Sequence, residues 1–163
     1  MDRIDKILAQ WRRERPELDT TAMGLFGRMR NLTLHLSREM DKTFARFDLN
    51  SANFDMLATL RRSGEPYSLS PSDLMETMMV TSGTMTNRID QLEKAGLVAR
   101  SQNPNDGRSF LISLTPKGFE LIDAAVTAHV ETQTRLVSTL SDKERTALDG
   151  LLRNYLADFE PHS

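Results

Sequence analysis

Cysteine is absent from this 163-residue chain, so no disulfide framework holds it and no thiol serves as a redox switch. No apolar run is long enough to cross a bilayer and no signal-peptide pattern occurs, so a cytoplasmic protein without a membrane partner is expected. The three histidines, His35, His129 and His162, lack ligand-like spacing, so neither a metal site nor a cofactor is expected. Catalytic motifs are missing as well. G-x-S-x-G and H-E-x-x-H do not occur, and Ser82-Gly83-Thr84 lacks the glycines and lysine of a phosphate loop. The chain reads as a non-enzyme. It also lacks a positive excess: its net charge is −2. Between Ser82 and Lys117, however, five cations (Arg88, Lys94, Arg100, Arg108, Lys117) meet three anions (Asp90, Glu93, Asp106). Phosphate attraction acts over a Debye length of about 10 Å, so this local sign counts for more than the total.

What is present centres on Ser70 to Leu114. Ser70-Pro71-Ser72-Asp73 has a helix N-cap, a proline for the first helical position and an acid that completes a capping box. Met78-Met79-Val80 closes that helix into a turn. Thr81 or Ser82 caps a second helix running to Ala95, with Gly96 just past its end. Met85, Ile89 and Leu92 repeat at i, i+4, i+7 and make one face core. Leu97–Arg100 and Phe110–Leu114 have strand character, and the intervening Asn103 to Arg108 is dense in turn residues. Helix, turn, helix and hairpin make a winged helix, a shape suited to a DNA major groove with the hairpin reaching the adjacent groove.

The second helix opposes its core face with short hydrogen-bonding residues near its N-terminus, where free backbone N–H groups and the positive dipole end favour phosphate. Thr84, Thr86 and Asn87 suit base edges, asparagine pairing with adenine and threonine methyls meeting the thymine methyl. Thr81 and Ser82 suit phosphates. Arg108, at the wing tip, suits a narrow minor groove. The rival readings are a solvated helix face and a winged helix that binds protein without sequence-specific DNA contact.

Long helices flank this core. Residues 1 to 14 place Ile4, Ile7, Leu8 and Trp11 on one stripe, and Pro16 stops them. Asp19, Thr20 or Thr21 caps a helix ending near Phe47, with apolar residues on more than one face, as a helix shared with a second subunit would have. Asn50 or Ser51 caps a third, bearing Phe54, Leu57 and Leu60, which Ser63-Gly64 ends. Thr115-Pro116 opens a helix to about residue 140, and Ser141 to Glu144 is a capping box for the last one. The expected fold is mainly α with a small β-hairpin wing. N-terminal helices of a dimerisation and ligand lobe occupy 1–47, a winged helix-turn-helix DNA-binding lobe 48–114, and C-terminal dimerisation helices 115–163.

Ser82 to Val98, followed by Asp106-Gly107-Arg108 and Leu114-Thr115-Pro116-Lys117-Gly118, resembles the MarR family of bacterial transcriptional regulators. The resemblance implies a homodimer that binds a pseudo-palindromic operator in double-stranded DNA, more often as a repressor, and responds to a small anionic or aromatic effector. It also implies that Asp106 steadies Arg108. Between those two the family commonly carries another arginine, where this chain has Gly107. Without cysteine, the thiol-sensing members are a poor guide.

A second layer resembles the family's urate-responsive branch, in Trp11 on the extra N-terminal helix, Asp55 before the helix-turn-helix, Arg88 on its second helix and Arg100 on the first wing strand. In that branch the tryptophan and the strand arginine hold the purine anion, while the aspartate and helix arginine couple the pocket to DNA. An aromatic face and a guanidinium suit a flat anion. The plainer readings are Trp11 as a docking anchor, Arg88 on phosphate and Arg100 as a solvated strand residue.

Overall fold

The structure, a computed structural model, describes residues 1–78, 82–104 and 106–160, without the side chains of Ser82, Asp106 and Arg108. The expected turn residues Met79 and Val80, and the cap Thr81, lie outside the described residues. The chain divides into two compact units, Met1–Lys42 and Thr43–Ser163.

The first unit holds α1 (Arg3–Glu14) and most of α2 (Thr21–Ala45). Asp2 caps α1: its carboxylate accepts from the Asp5 N–H at 2.9 Å, and the Asp5 carboxylate accepts from the Asp2 N–H at 2.8 Å. The hydrogen bond from the Asp5 N–H and the nearby Arg28 guanidinium hold the Asp2 carboxyl below its usual range. Asp19 begins α2, accepting from the Thr21 N–H at 2.9 Å. Ile4 and Leu8 are buried, and α2 meets them with glycines: a Cβ at Gly27 would lie 2.9 Å from Ile4 Cδ1. Small residues here let two helices approach closely. Much of the apolar surface of α2 stays uncovered, with Leu25 and Phe26 each 57% exposed.

The second unit holds α3 (Ser51–Arg62), β1 (Ser68–Leu69), α4 (Pro71–Met78), α5 (Ser82–Lys94), β2 (Val98–Asn103), β3 (Asp106–Leu114), α6 (Pro116–Val137) and α7 (Asp142–Leu156). The caps read from the sequence form. Asn50 accepts from the Asn53 N–H at 2.8 Å, Ser70 from the Asp73 N–H at 3.1 Å, and Thr115 from the Gly118 N–H at 3.0 Å. Ser141 and Glu144 make their box at α7. Leu57, Leu60, Leu74, Ile112 and Ile122 are fully buried, and Met85, Ile89 and Leu92 of α5 are no more than 2% exposed.

The wing is larger than the expected hairpin. A third strand, β1, pairs Leu69 with Ile112, giving an antiparallel sheet in the order β1-β3-β2. Two residues cannot display a period-2 alternation, so nothing in the sequence marks β1. Behind it Phe44 and Phe54 stack at 4.2 Å, and His129 of α6 stacks on Phe44 at 5.2 Å. Among the described residues, no helix is long and apolar enough to cross a membrane.

Candidate nucleic-acid interface

Helix α5 presents two faces. Met85, Ile89 and Leu92 point into the core, while Thr84, Thr86, Asn87, Asp90 and Gln91 are exposed. Gly83, in the first turn, has open space where a Cβ would stand. The side chains of Ser82, Asp106 and Arg108, and Thr81 as a whole, fall outside the described residues; the backbone places Ser82 in α5 and the other two in β3.

The far end of α5 is tied down by the Leu114-to-Gly118 segment. Gly96 takes a φ of 73°, the left-handed form that ends a helix. Lys117 Nζ donates to the Ala95 carbonyl at 2.9 Å, and Thr115 Oγ1 to the Gly96 carbonyl at 2.7 Å. The Thr115 N–H reaches the Leu97 carbonyl at 3.1 Å. A Cβ at Gly118 would overlap the Leu97 carbonyl oxygen, so only glycine lets α6 start this close. Lys117 counts as a cation in the sequence tally, but its ammonium here serves the negative end of α5.

Arg100 is exposed on β2 and engaged there. Its guanidinium forms ion pairs with Asp90 and Glu93 of α5 and lies 5.5 Å over the Phe110 ring. The hydrogen bond it donates to Asp90, then the charge of Glu93, raises its pKa against the opposing effect of burial. Asp55 is exposed on α3 and Arg88 is half-buried on α5; among the described residues no ion pair joins them. Trp11 belongs to the first unit and is 40% exposed. The structure therefore brings Arg100 together with two acids that sequence reasoning passed over. The missed signal was the pair itself, since carboxylates three apart on a mostly neutral helix face call for a cation.

A cavity of about 420 Å³ opens between α3 and α6, lined by Phe54, Ala58, Arg61, Arg62, Asp123 and His129 among others. Arg61 Nε donates to Asp123 at 2.7 Å and its guanidinium lies 4.5 Å over Phe119. Among the described residues His129 Nδ1 is buried without a hydrogen-bond partner, and burial lowers the pKa of the ring.

The sequence profile of the MarR family matches residues 49–110. The HTH-type transcriptional regulator PecS of Dickeya dadantii is 42% identical over 149 residues, covering 91% of this chain and 90% of the relative. The HTH-type transcriptional repressor YetL of Bacillus subtilis is 26% identical, covering 78% of this chain and 76% of the relative. Among solved structures, the MepR–DNA complex of S. aureus is 25% identical with a TM-score of 0.70, over 80% of this chain and 94% of MepR.

Proposed function

The chain belongs to the MarR family of transcriptional regulators, and from that premise we propose that it is a homodimeric repressor released from a pseudo-palindromic operator by a small anionic or aromatic ligand. The observation that carries the DNA-binding part is α5 itself, buried along one face, tied at its C-terminal end and open along Thr84, Thr86 and Asn87. These three read base edges in the major groove, Thr81 and Ser82 take phosphates, and Arg108, steadied by Asp106, enters the minor groove. Residues 48–114 act as the DNA-binding lobe, with 1–47 and 115–163 pairing two subunits. Exposed Leu25 and Phe26 on α2, and Leu151, Leu152 and Phe159 at the C-terminal end, support that pairing. A two-fold dimer sets its half-sites about 34–36 Å apart. A relative named as a repressor and a DNA complex of another support the reading.

A salt titration tests it. Counterion release predicts that affinity for a duplex selected from a random library falls steeply with salt, and that Arg108→Ala binds about tenfold more weakly with a shallower slope. Salt-independent binding would leave the protein-interaction module instead.

For the effector, the urate-type set Trp11, Asp55, Arg88 and Arg100 is the first reading, with Arg100 exchanging Asp90 and Glu93 for the ligand anion. The unpartnered His129 Nδ1 favours a second, in which the α3–α6 cavity takes an aromatic acid. Calorimetry with urate and with salicylate separates them. Trp11→Ala weakens binding by roughly 1–3 kcal/mol in the first case and leaves it unchanged in the second.

A further inference from the structure

We propose that Arg100 is a positioning residue for DNA recognition: it holds Asp90 and Glu93 and so offsets part of the negative charge that α5 would otherwise present beside the DNA backbone. The proposal rests on α5 being the helix that reads DNA. Asp90 and Glu93 lie three residues apart on α5, beyond the base-reading residues and toward the helix C-terminus. Both side chains are solvent-accessible, at 57% and 38% exposure. A duplex carries one negative charge per about 1.7 Å of its axis, so an uncovered acid on this helix repels phosphate wherever α5 docks.

Arg100 is placed to offset part of that repulsion from the wing sheet. It sits on β2 opposite the fully buried Ile112, which fixes its backbone. Phe110 pairs with Gln102, two residues further along β2, and so is the diagonal neighbour of Arg100 on the same sheet face. The aromatic ring, 5.5 Å from the guanidinium carbon, limits where the guanidinium can swing. A planar fork engages two carboxylates at once, which the point charge of a lysine cannot do with the same geometry. Exposed ion pairs add little to folding stability. The effect of this one belongs to DNA affinity.

The test is a cycle of four proteins: wild type, Arg100→Gln, the double variant Asp90→Asn/Glu93→Gln, and all three changes together. Each is titrated by fluorescence anisotropy against the duplex that wild type selects from a random library, at about 0.05 M and 0.15 M salt. Arg100→Gln is expected to bind about three- to tenfold more weakly at the lower salt, less so at the higher. The double and triple variants both bind at least as tightly as wild type and within about twofold of each other, because the loss on removing Arg100 depends on the two acids being present. Melting temperatures stay within a few degrees throughout, as expected for exposed ion pairs. Arg100→Gln binding as tightly as wild type overturns the proposal. An additive cycle, with the double change tightening binding equally with and without Arg100, overturns it too, since Arg100 would then act on DNA directly. Wild type that binds DNA without salt dependence is a different failure, which removes the functional reading and this one with it.

Discussion

Helices α6 and α7 begin alike and end differently. Each opens on an N-cap hydroxyl, Thr115 or Ser141, that accepts a backbone N–H in its first turn. Yet α6 buries Gly118, Ile122, Ala125, Ala128 and Thr132, whereas no residue of α7 is buried. An isolated helix of 15 residues is marginal in water, because nucleation is costly and each added bond returns little. The cap on α7 thus sets where the helix starts without supplying the packing that keeps it. Leu151 and Phe159, exposed at 69% and 68%, are the surface on which that packing has to come from elsewhere. Capping is local chemistry; burial depends on the partner.

The comparison breaks most severely at Gly118. Its backbone lies against the Leu97 carbonyl, so Gly118→Ala forces α6 away from the end of α5 or distorts both. Loss of that docking is expected to cost on the order of 2–4 kcal/mol, an overpacking penalty against backbone that cannot rotate aside. Urea unfolding followed by circular dichroism reads it as a lower midpoint with an unchanged m-value. An equivalent change in α7, Gly150→Ala, meets open space and should be neutral or slightly stabilising through helix propensity. If both glycines tolerate alanine equally, the contrast drawn between the helices is wrong.

The next effect is assembly. Leu151→Glu on the uncovered face of α7 and Phe159→Glu just past its end should convert the proposed dimer to a monomer at micromolar concentration, read by light scattering. DNA affinity falls with it, since a monomer engages one half-site. Ile122→Ala on α6 should do the opposite, lowering stability by about 2–5 kcal/mol while the folded protein still dimerises. Charged variants of α7 that remain dimeric would move the subunit interface elsewhere.

These outcomes track what a sequence can disclose. Caps at Ser70, Thr115-Pro116 and Ser141 are legible because the residues that make them lie within four positions of each other. The core stripe of α5 is legible through its helical period. What escapes is nonlocal or too short. The strand β1 has two residues, and Lys117 reads as one more DNA-facing cation until the fold sets it on Ala95. Arg100 shows the limit most clearly. Its partners are seven and ten residues back, across a turn into a strand, and the family pattern pointed to a ligand instead.

The smallest effect sharpens the contrast from the buried side. His129 of α6 packs against both Phe44 and Phe54, and burial disfavours its protonated form, so its pKa falls below the ordinary value near 6.5. The unfolded chain then binds more protons than the folded one as pH drops through that value. The stability tied to the neutral ring is complete above about pH 6.5 and is lost as pH falls toward the lower folded pKa. Arg61, Arg62 and Asp123 line the cavity that His129 shares; the first two add to the penalty on a charged ring and the third opposes it. His129→Phe keeps an aromatic ring against Phe44 and Phe54 and removes the titration. The difference in unfolding free energy between variant and wild type should therefore grow as pH falls from 7 to 5, with the variant the less acid-sensitive. Taking that difference cancels whatever the rest of the chain, His35 and His162 included, contributes to both proteins. A pH-independent difference would mean that the half-buried ring titrates as it does in the unfolded chain.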